Sequence, residues 1–471
     1  MAKDQQGLTL AGAPESATAF DLAIADYFGL TGDPVGILRQ ALARDPGFAL
    51  GGVAIAALYM IGGFRGDHPE VVKALGGAEP AIRRASERER RHLAAASAWA
   101  EGKTSQAILG WETILVDHPT DALALRLAQD AYYFLGRSLA IRDCAARVLP
   151  AWDRGNPLTS FILGLYAFGL EETGDLKRAE DFGREALAGN PRDAWATHAL
   201  AHVMETANRQ DDGVAFLKST RADWSGAHFM AGHNGWHLAL FLIEQGCFDE
   251  VLADYDRFSA PKLADDGTLD RVDAAALLWR LELAGVDVGN RWAPVADEWM
   301  AHVEDHVLAF NDLHCAFAAA RSPDPGDVKR FSRSLDVYER VGSGDNRRVT
   351  AEVGRRLIDG DARLRRRRLC PGGRSDPAGS LRGGPDRRQP RPARHRQPDA
   401  DRGGRTVGPM APGAGAARRA RRRPADRAHA CRARAGARPR RGPLSPGGRR
   451  SLRPRRQWGQ AQARTPISHR R

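Results

Sequence analysis

A fixed phase of small residues and prolines constrains this chain more than any other feature. In "SQAILGWETILVDHPTD", Ala107 is followed by Trp111, Ile114 and Pro119. In "KRAEDFGREALAGNPRD", Ala179 is followed by Gly183, Ala186 and Pro191, at the same steps of 4, 7 and 12 residues. A further alanine, Ala95 or Ala167, stands 12 residues before each first alanine. Pro157 precedes Pro191 by 34 residues, Pro46 ends an earlier copy, and advancing Ala167 and Ala179 by 34 reaches Ala201 and Gly213. Small residues at these steps let two helices touch, and a proline stops the second helix from continuing. Together they mark a 34-residue helix-turn-helix unit. Such a unit buries its apolar face only by stacking on its neighbours.

The rest of the body agrees. Apolar residues recur at i, i+3 and i+4 in "FILGLYAFGLEETG" and "LALFLIEQG", and strand-like alternation is rare. The expected fold is all-α, a tetratricopeptide (TPR)-like helical-hairpin solenoid over about residues 18–361, after a flexible N-terminus over 1–17. That N-terminus lacks the charged and apolar regions of a signal peptide. "FALGGVAIAALYMIGGF" (Phe48–Phe64) is the most apolar run, but its glycines fit a buried helix rather than a membrane span, so no membrane association is expected. The five cysteines form no Cys-x-x-Cys pair. That suits a reducing, cytoplasmic setting.

The net charge of +12 hides a division. Residues 362–471 hold 33 Arg and 5 Asp without Lys or Glu, a net of +28. Residues 1–361 hold 37 basic and 53 acidic side chains, a net of −16. Basicity therefore belongs to the tail alone. Poor in large apolar residues, the tail reads as a disordered, Arg/Pro/Gly-rich segment. If genuine, it would bind nucleic acid through phosphate contacts, with steep salt dependence.

Four stretches narrow the body further: "ALARDPGFAL", "GNPRDAWATHALAHVMETANRQDDGVAFLKSTRADWS", "HNGWHLALFLIEQGCFDEVLADYD" and "DAAALLWRLELAG". Over roughly residues 18–345 they resemble the tetratricopeptide repeat protein 38 family. The resemblance implies a divergent TPR-like solenoid, soluble and intracellular, and brings no established chemistry. The family usually continues through a Gly-Gly-Ser-His-Ala-Gln-Arg-Asp-like stretch, which this reading frame lacks. "RRQPRPARH" (Arg387–His395) can nevertheless be encoded so that a one-base shift yields those eight residues. The tail from about residue 362 therefore reads as out-of-frame translation. A solenoid cut short in this way should expose an apolar face.

Chemistry-bearing residues concentrate in two His-x3-His pairs, His198/His202 and His233/His237, 35 residues apart. Almost one repeat of separation places them near-equivalently on the first helices of adjacent repeats, with each pair on one helix face. Such spacing suits a divalent transition metal, with Glu205 and Glu244 available and His314, beside Asp312, on a later helix. Packing is the simpler reading, because histidines on such helices also meet the next repeat. Neither pair is His-Glu-x-x-His, since Ala199 and Asn234 occupy the glutamate positions. Phosphate loops, dinucleotide fingerprints and the Gly-x-Ser-x-Gly elbow are missing from the sequence. Cys247 and Cys315 read as packing residues, and "RRASERERRHL" (Arg83–Leu93) as a solvated helix face.

The favoured expectation is an interaction or scaffold protein without a required cofactor. It would bind a protein, peptide or small ligand in a concave groove bearing His198, His202, His233, Asn234, Trp236 and His237. A metal-assisted enzyme using the four histidines is the alternative. The two readings separate on whether the pairs face one another.

Overall fold

The computed structural model describes residues 2–265 and 267–369. Two short strands, β1 (Ala2–Lys3) and β2 (Thr9–Leu10), pair antiparallel with Ala2 opposite Leu10. All other regular structure among the described residues is helical.

Four helices open the fold: α1 (Pro14–Gly29), α2 (Pro34–Arg44), α3 (Ala49–Ile61) and α4 (Pro69–Ile82). Pro14, Pro34 and Pro69 each stand in the first turn, where a missing N–H costs nothing. Next come α5 (Glu87–Ala100), α6 (Thr104–Asp117), α7 (Ala122–Phe134) and α8 (Ser138–Val148). The middle holds α9 (Thr159–Glu171), α10 (Leu176–Gly189), α11 (Ala194–Thr206), α12 (Gln210–Ser219), α13 (Arg221–Trp224), α14 (His228–Gln245) and α15 (Phe248–Asp254). The last are α16 (Thr268–Leu283), α17 (Trp292–Ala301), α18 (Ala309–Ala319), α19 (Asp327–Val341), α20 (Gly344–Val349) and α21 (Arg355–Leu369). No helix among the described residues is long and apolar enough to cross a membrane.

The repeat-phase residues lie where helices touch. Ala107, Trp111 and Ile114 on α6, and Ala179 and Ala186 on α10, are fully buried, as are Ala167 and Ala201. At Gly213 a Cβ would stand 2.4 Å from the ring of Phe241, so that approach of α12 to α14 requires glycine. Pro119 and Pro191 follow the ends of α6 and α10, and Pro157 lies between α8 and α9. Helix α9 packs on α11, α11 on α14, α14 on α16, and α16 on α18.

The chain also closes on itself. Arg65 Nη1 donates to the Glu304 carbonyl at 3.2 Å, and the Thr268 hydroxyl to the Gly62 carbonyl at 3.3 Å. The Asp345 amide donates to the Gly102 carbonyl at 2.9 Å, and the Ser105 amide to the Asp345 carboxylate at 2.7 Å. Early and late helices thereby line one cavity of about 2380 Å³. The expectation of a concave groove did not include this closure.

Three further expectations differ from the structure. The N-terminal lead is built in: Leu10 is fully buried, and the Ala11 amide donates to the buried Glu89 carboxylate at 2.9 Å. The run Arg83–Leu93 is a solvated face only in part: Arg83, Arg84, Glu87 and Arg90 are exposed and Glu87 pairs with Arg91, but Arg88, Glu89 and His92 are buried on α5. Tertiary partners absorb these charges: Arg88 meets Asp121, and Glu89 closes the capping box with Ser86. Finally, α21 carries the backbone as helix to Leu369, past the expected start of the tail at residue 362. The tail from residue 370, including its expected disorder and nucleic-acid binding, lies outside the described residues. Val337, Val341, Leu357 and Leu364 are exposed on the last helices, as Leu22, Val72, Leu109 and Val116 are on earlier ones.

Candidate metal centre

Helix α11 begins at Asp193, whose Oδ1 accepts the amides of Trp195 and Ala196 at 3.0 and 2.9 Å. Its other oxygen is buried without a partner, and burial pushes the carboxyl up to about 7. The folded state therefore holds a proton that the unfolded chain releases near pH 4. This group makes stability fall as pH rises between about 4 and 7, and level off above. Asp193→Asn keeps the cap and should flatten that slope, raising the melting temperature at pH 8 by on the order of a few degrees. Thermal unfolding at pH 5 and pH 8 checks this, and an unchanged slope in the variant would count against it.

One turn on, the two histidine pairs meet. His198 Nε2 lies 2.9 Å from His202 Nε2 and 3.2 Å from His233 Nε2. The ring of His237 lies 4.9 Å from that of His198, 4.6 Å from His202 and 4.9 Å from His233. Among the described residues, His198, His202 and His237 each offer a donor atom within 4.8 Å of the other two. His233 joins them through His198.

Three of the four rings are held from behind by carboxylates. His202 Nδ1 faces Glu171 at 3.3 Å, His233 Nδ1 faces Asp273 at 2.9 Å, and His237 Nδ1 faces Glu205 at 3.3 Å. A neutral imidazole that donates its Nδ1–H to a carboxylate presents a bare Nε2 lone pair. Those lone pairs belong to the nitrogens that crowd together, and His237 Nε2 is buried without a hydrogen-bond partner. Burial, with the neighbouring imidazoles, holds His198 and His237 well below the usual histidine range, in the neutral ligating form.

The rings are also packed in place. Phe168 stacks on His198 at 5.5 Å, and Trp236 stacks on His233 at 5.4 Å with planes 7° apart. The Arg280 guanidinium covers Trp236 at 5.0 Å. His198 and His237 are buried, whereas the side chains of His202 and His233 are 25 % and 16 % exposed, so one side is reachable from outside.

Not every expected groove residue belongs here. Asn234 is fully buried, and its Nδ2 donates to the Ala194 carbonyl at 3.2 Å, tying α14 to α11. It leaves the groove because one residue along a helix turns the side chain by roughly 100°. Trp236 supports His233 rather than standing free as a ligand-facing aromatic. Glu205 contacts the cluster as expected, and Glu171 and Asp273 do so as well. His314 donates from Nδ1 to the Phe310 carbonyl at 2.8 Å, and Asp312 pairs with His306 rather than with the cluster. Sequence reasoning missed Glu171, Asp273 and the His306 site. Glu171 was within reach, since it lies one 34-residue repeat before Glu205.

The chain matches no protein-family model.

Proposed function

We propose that this protein is a metal-binding helical-repeat protein whose histidine cluster holds one divalent transition-metal ion. His198, His202 and His237 ligate through imidazole nitrogen, leaving a position for water or a ligand atom. His233, oriented by Asp273, stands beside that position. The carrying observation is that His202 Nε2 and His233 Nε2, on rings whose Nδ1 faces a carboxylate, both crowd His198 Nε2. Metal–nitrogen bonds of about 2.0–2.1 Å put neighbouring ligand nitrogens about 2.9–3.4 Å apart, a range that includes the 2.9 Å contact between His198 and His202. One shared proton cannot satisfy several lone pairs around His198 Nε2, but a cation can. Three nitrogen ligands with an open position is an arrangement used for water activation, which supports metal-assisted chemistry as the role of the site.

The fold supports a second, compatible role, ligand binding. The cavity of about 2380 Å³ begins one turn away, at Trp195 and Phe229, and suits a small molecule or a peptide segment. The internal phase and the quoted stretches support membership of the tetratricopeptide repeat protein 38 family, and with it a cytoplasmic, TPR-like scaffold.

Chelator-stripped protein titrated with Co²⁺ should bind one ion per chain and develop ligand-field absorption. His202→Ala and His237→Ala should each weaken it. Failure to bind Co²⁺ or Zn²⁺, or binding untouched by both substitutions, contradicts the proposal.

A further inference from the structure

A second constellation lies on the cavity wall, away from the histidine cluster. His306 Nε2 is 2.8 Å from the Ser334 hydroxyl, and His306 Nδ1 is 2.9 Å from Asp312 Oδ1. Both His306 and Ser334 line the cavity. His306 and Asp312 are buried, and the second Asp312 oxygen has no hydrogen-bond partner.

The imidazole is fixed more firmly than a packing role demands. Its ring stacks on Tyr338 at 4.7 Å with planes 15° apart. Its carbonyl accepts from Asn346 Nδ2 at 2.7 Å. Its backbone takes φ of +45°, a left-handed conformation that costs a non-glycine residue on the order of 1 kcal/mol. With Nδ1–H donated to Asp312, Nε2 is the acceptor, so the Ser334 hydroxyl donates to it. That is the order of nucleophile, base and orienting carboxylate required for serine activation.

We infer that Ser334, His306 and Asp312 form a nucleophilic relay that cleaves activated carboxylic esters admitted to the cavity. Ser334 Oγ attacks the ester carbonyl carbon as its proton passes to His306 Nε2. The tetrahedral intermediate collapses, the carbon–oxygen bond to the leaving group breaks, and His306 returns the proton to that alcohol. Water then attacks the acyl-serine as His306 Nε2 takes its proton; the bond from the acyl carbon to Ser334 Oγ breaks, His306 returns the proton to Oγ, and the acid is released. Asp312 is a positioning residue throughout.

The restriction to activated esters follows from Ser334's place inside α19, where the surrounding amides are used in the helix. An oxyanion there finds no preformed pair of backbone donors, a lack that costs about 10²–10³ in rate for each missing donor. Arg330, one turn earlier, Arg333 and Arg65 are among the cations that line the same cavity.

The test is covalent labelling of the full chain by a fluorophosphonate, in which the serine oxygen displaces fluoride. Mass spectrometry should place the adduct on Ser334, and Ser334→Ala should abolish it. His306→Gln should slow labelling at least 100-fold while circular dichroism stays unchanged. Should that variant unfold, Asp312→Asn replaces it, and labelling should still slow at least tenfold. Labelling should persist in excess chelator, which separates it from the metal centre. Absence of a Ser334 adduct, or labelling indifferent to His306→Gln and Asp312→Asn, overturns the inference.

Discussion

Asp121→Ala is expected to remove about 3–5 kcal/mol of stability, the cost of leaving a buried charge without its partner. Arg88 Nη1 lies 2.6 Å from the Asp121 carboxylate, and both residues are at most 3 % exposed. The same carboxylate oxygen is 3.0 Å from His92 Nε2, while Asp121 Oδ1 accepts the Ala124 amide and caps α7. Arg88 Nη2 donates to the Thr9 carbonyl and lies 3.8 Å from Asp4, so the group also pins the N-terminal hairpin. Burial alone would raise the Asp121 carboxyl, but His92 and Arg88 outweigh it and hold the group well below the usual carboxylate range. Its contribution is therefore present above pH 3.8 and is lost as pH falls through the lower folded-state value. Urea unfolding at pH 7 measures the loss. Arg88→Met with Asp121→Ala should recover much of it, since the stranded charge is gone. A single-variant loss below about 1 kcal/mol would mean that the pair is solvated.

The second large effect concerns metal affinity. Asp273→Asn and Glu171→Gln leave all four imidazoles in place but remove the carboxylates that orient His233 and His202. Loss of such outer partners typically costs 10–100-fold in affinity. Glu171→Gln should fall in that range because His202 is one of the proposed ligands. Asp273→Asn should weaken binding less, because His233 stands beside the ligand set. His198→Ala, which removes the nitrogen at the centre of the cluster, should exceed both. Competition with a chromophoric chelator at pH 7 gives the three values. Equal affinities for Glu171→Gln, His198→Ala and the unaltered protein would reduce the cluster to packing.

What could be read in the sequence follows from what repeats. The 34-residue phase located the helix contacts at Ala107, Ala179 and Ala201, because close approach restricts the residues allowed there. A step of 35 residues, one longer than that phase, brought His198/His202 into near register with His233/His237. The 34-residue phase itself would have brought Glu171 into register with Glu205 had acidic residues been tracked through it. Asp273 escaped because it lies 40 residues from His233, on α16, and the pairing depends on how α14 packs there. Arg88 looked solvated because local charge density carries no information about a partner 33 residues away. Closure around the cavity was equally hidden, since it rests on contacts such as Arg65 to Glu304, 239 residues apart in the chain. The contact between His306 and Ser334 likewise arises only from tertiary placement of a short loop against α19.

The most direct measurement of the metal proposal is X-ray absorption at the metal edge of Co²⁺- or Zn²⁺-loaded protein. The structure predicts a nitrogen-rich first shell at about 2.0–2.1 Å with the scattering pattern of at least three imidazoles, reduced by one imidazole in His202→Ala. An oxygen-dominated shell, or an imidazole count unchanged by that substitution, would contradict it.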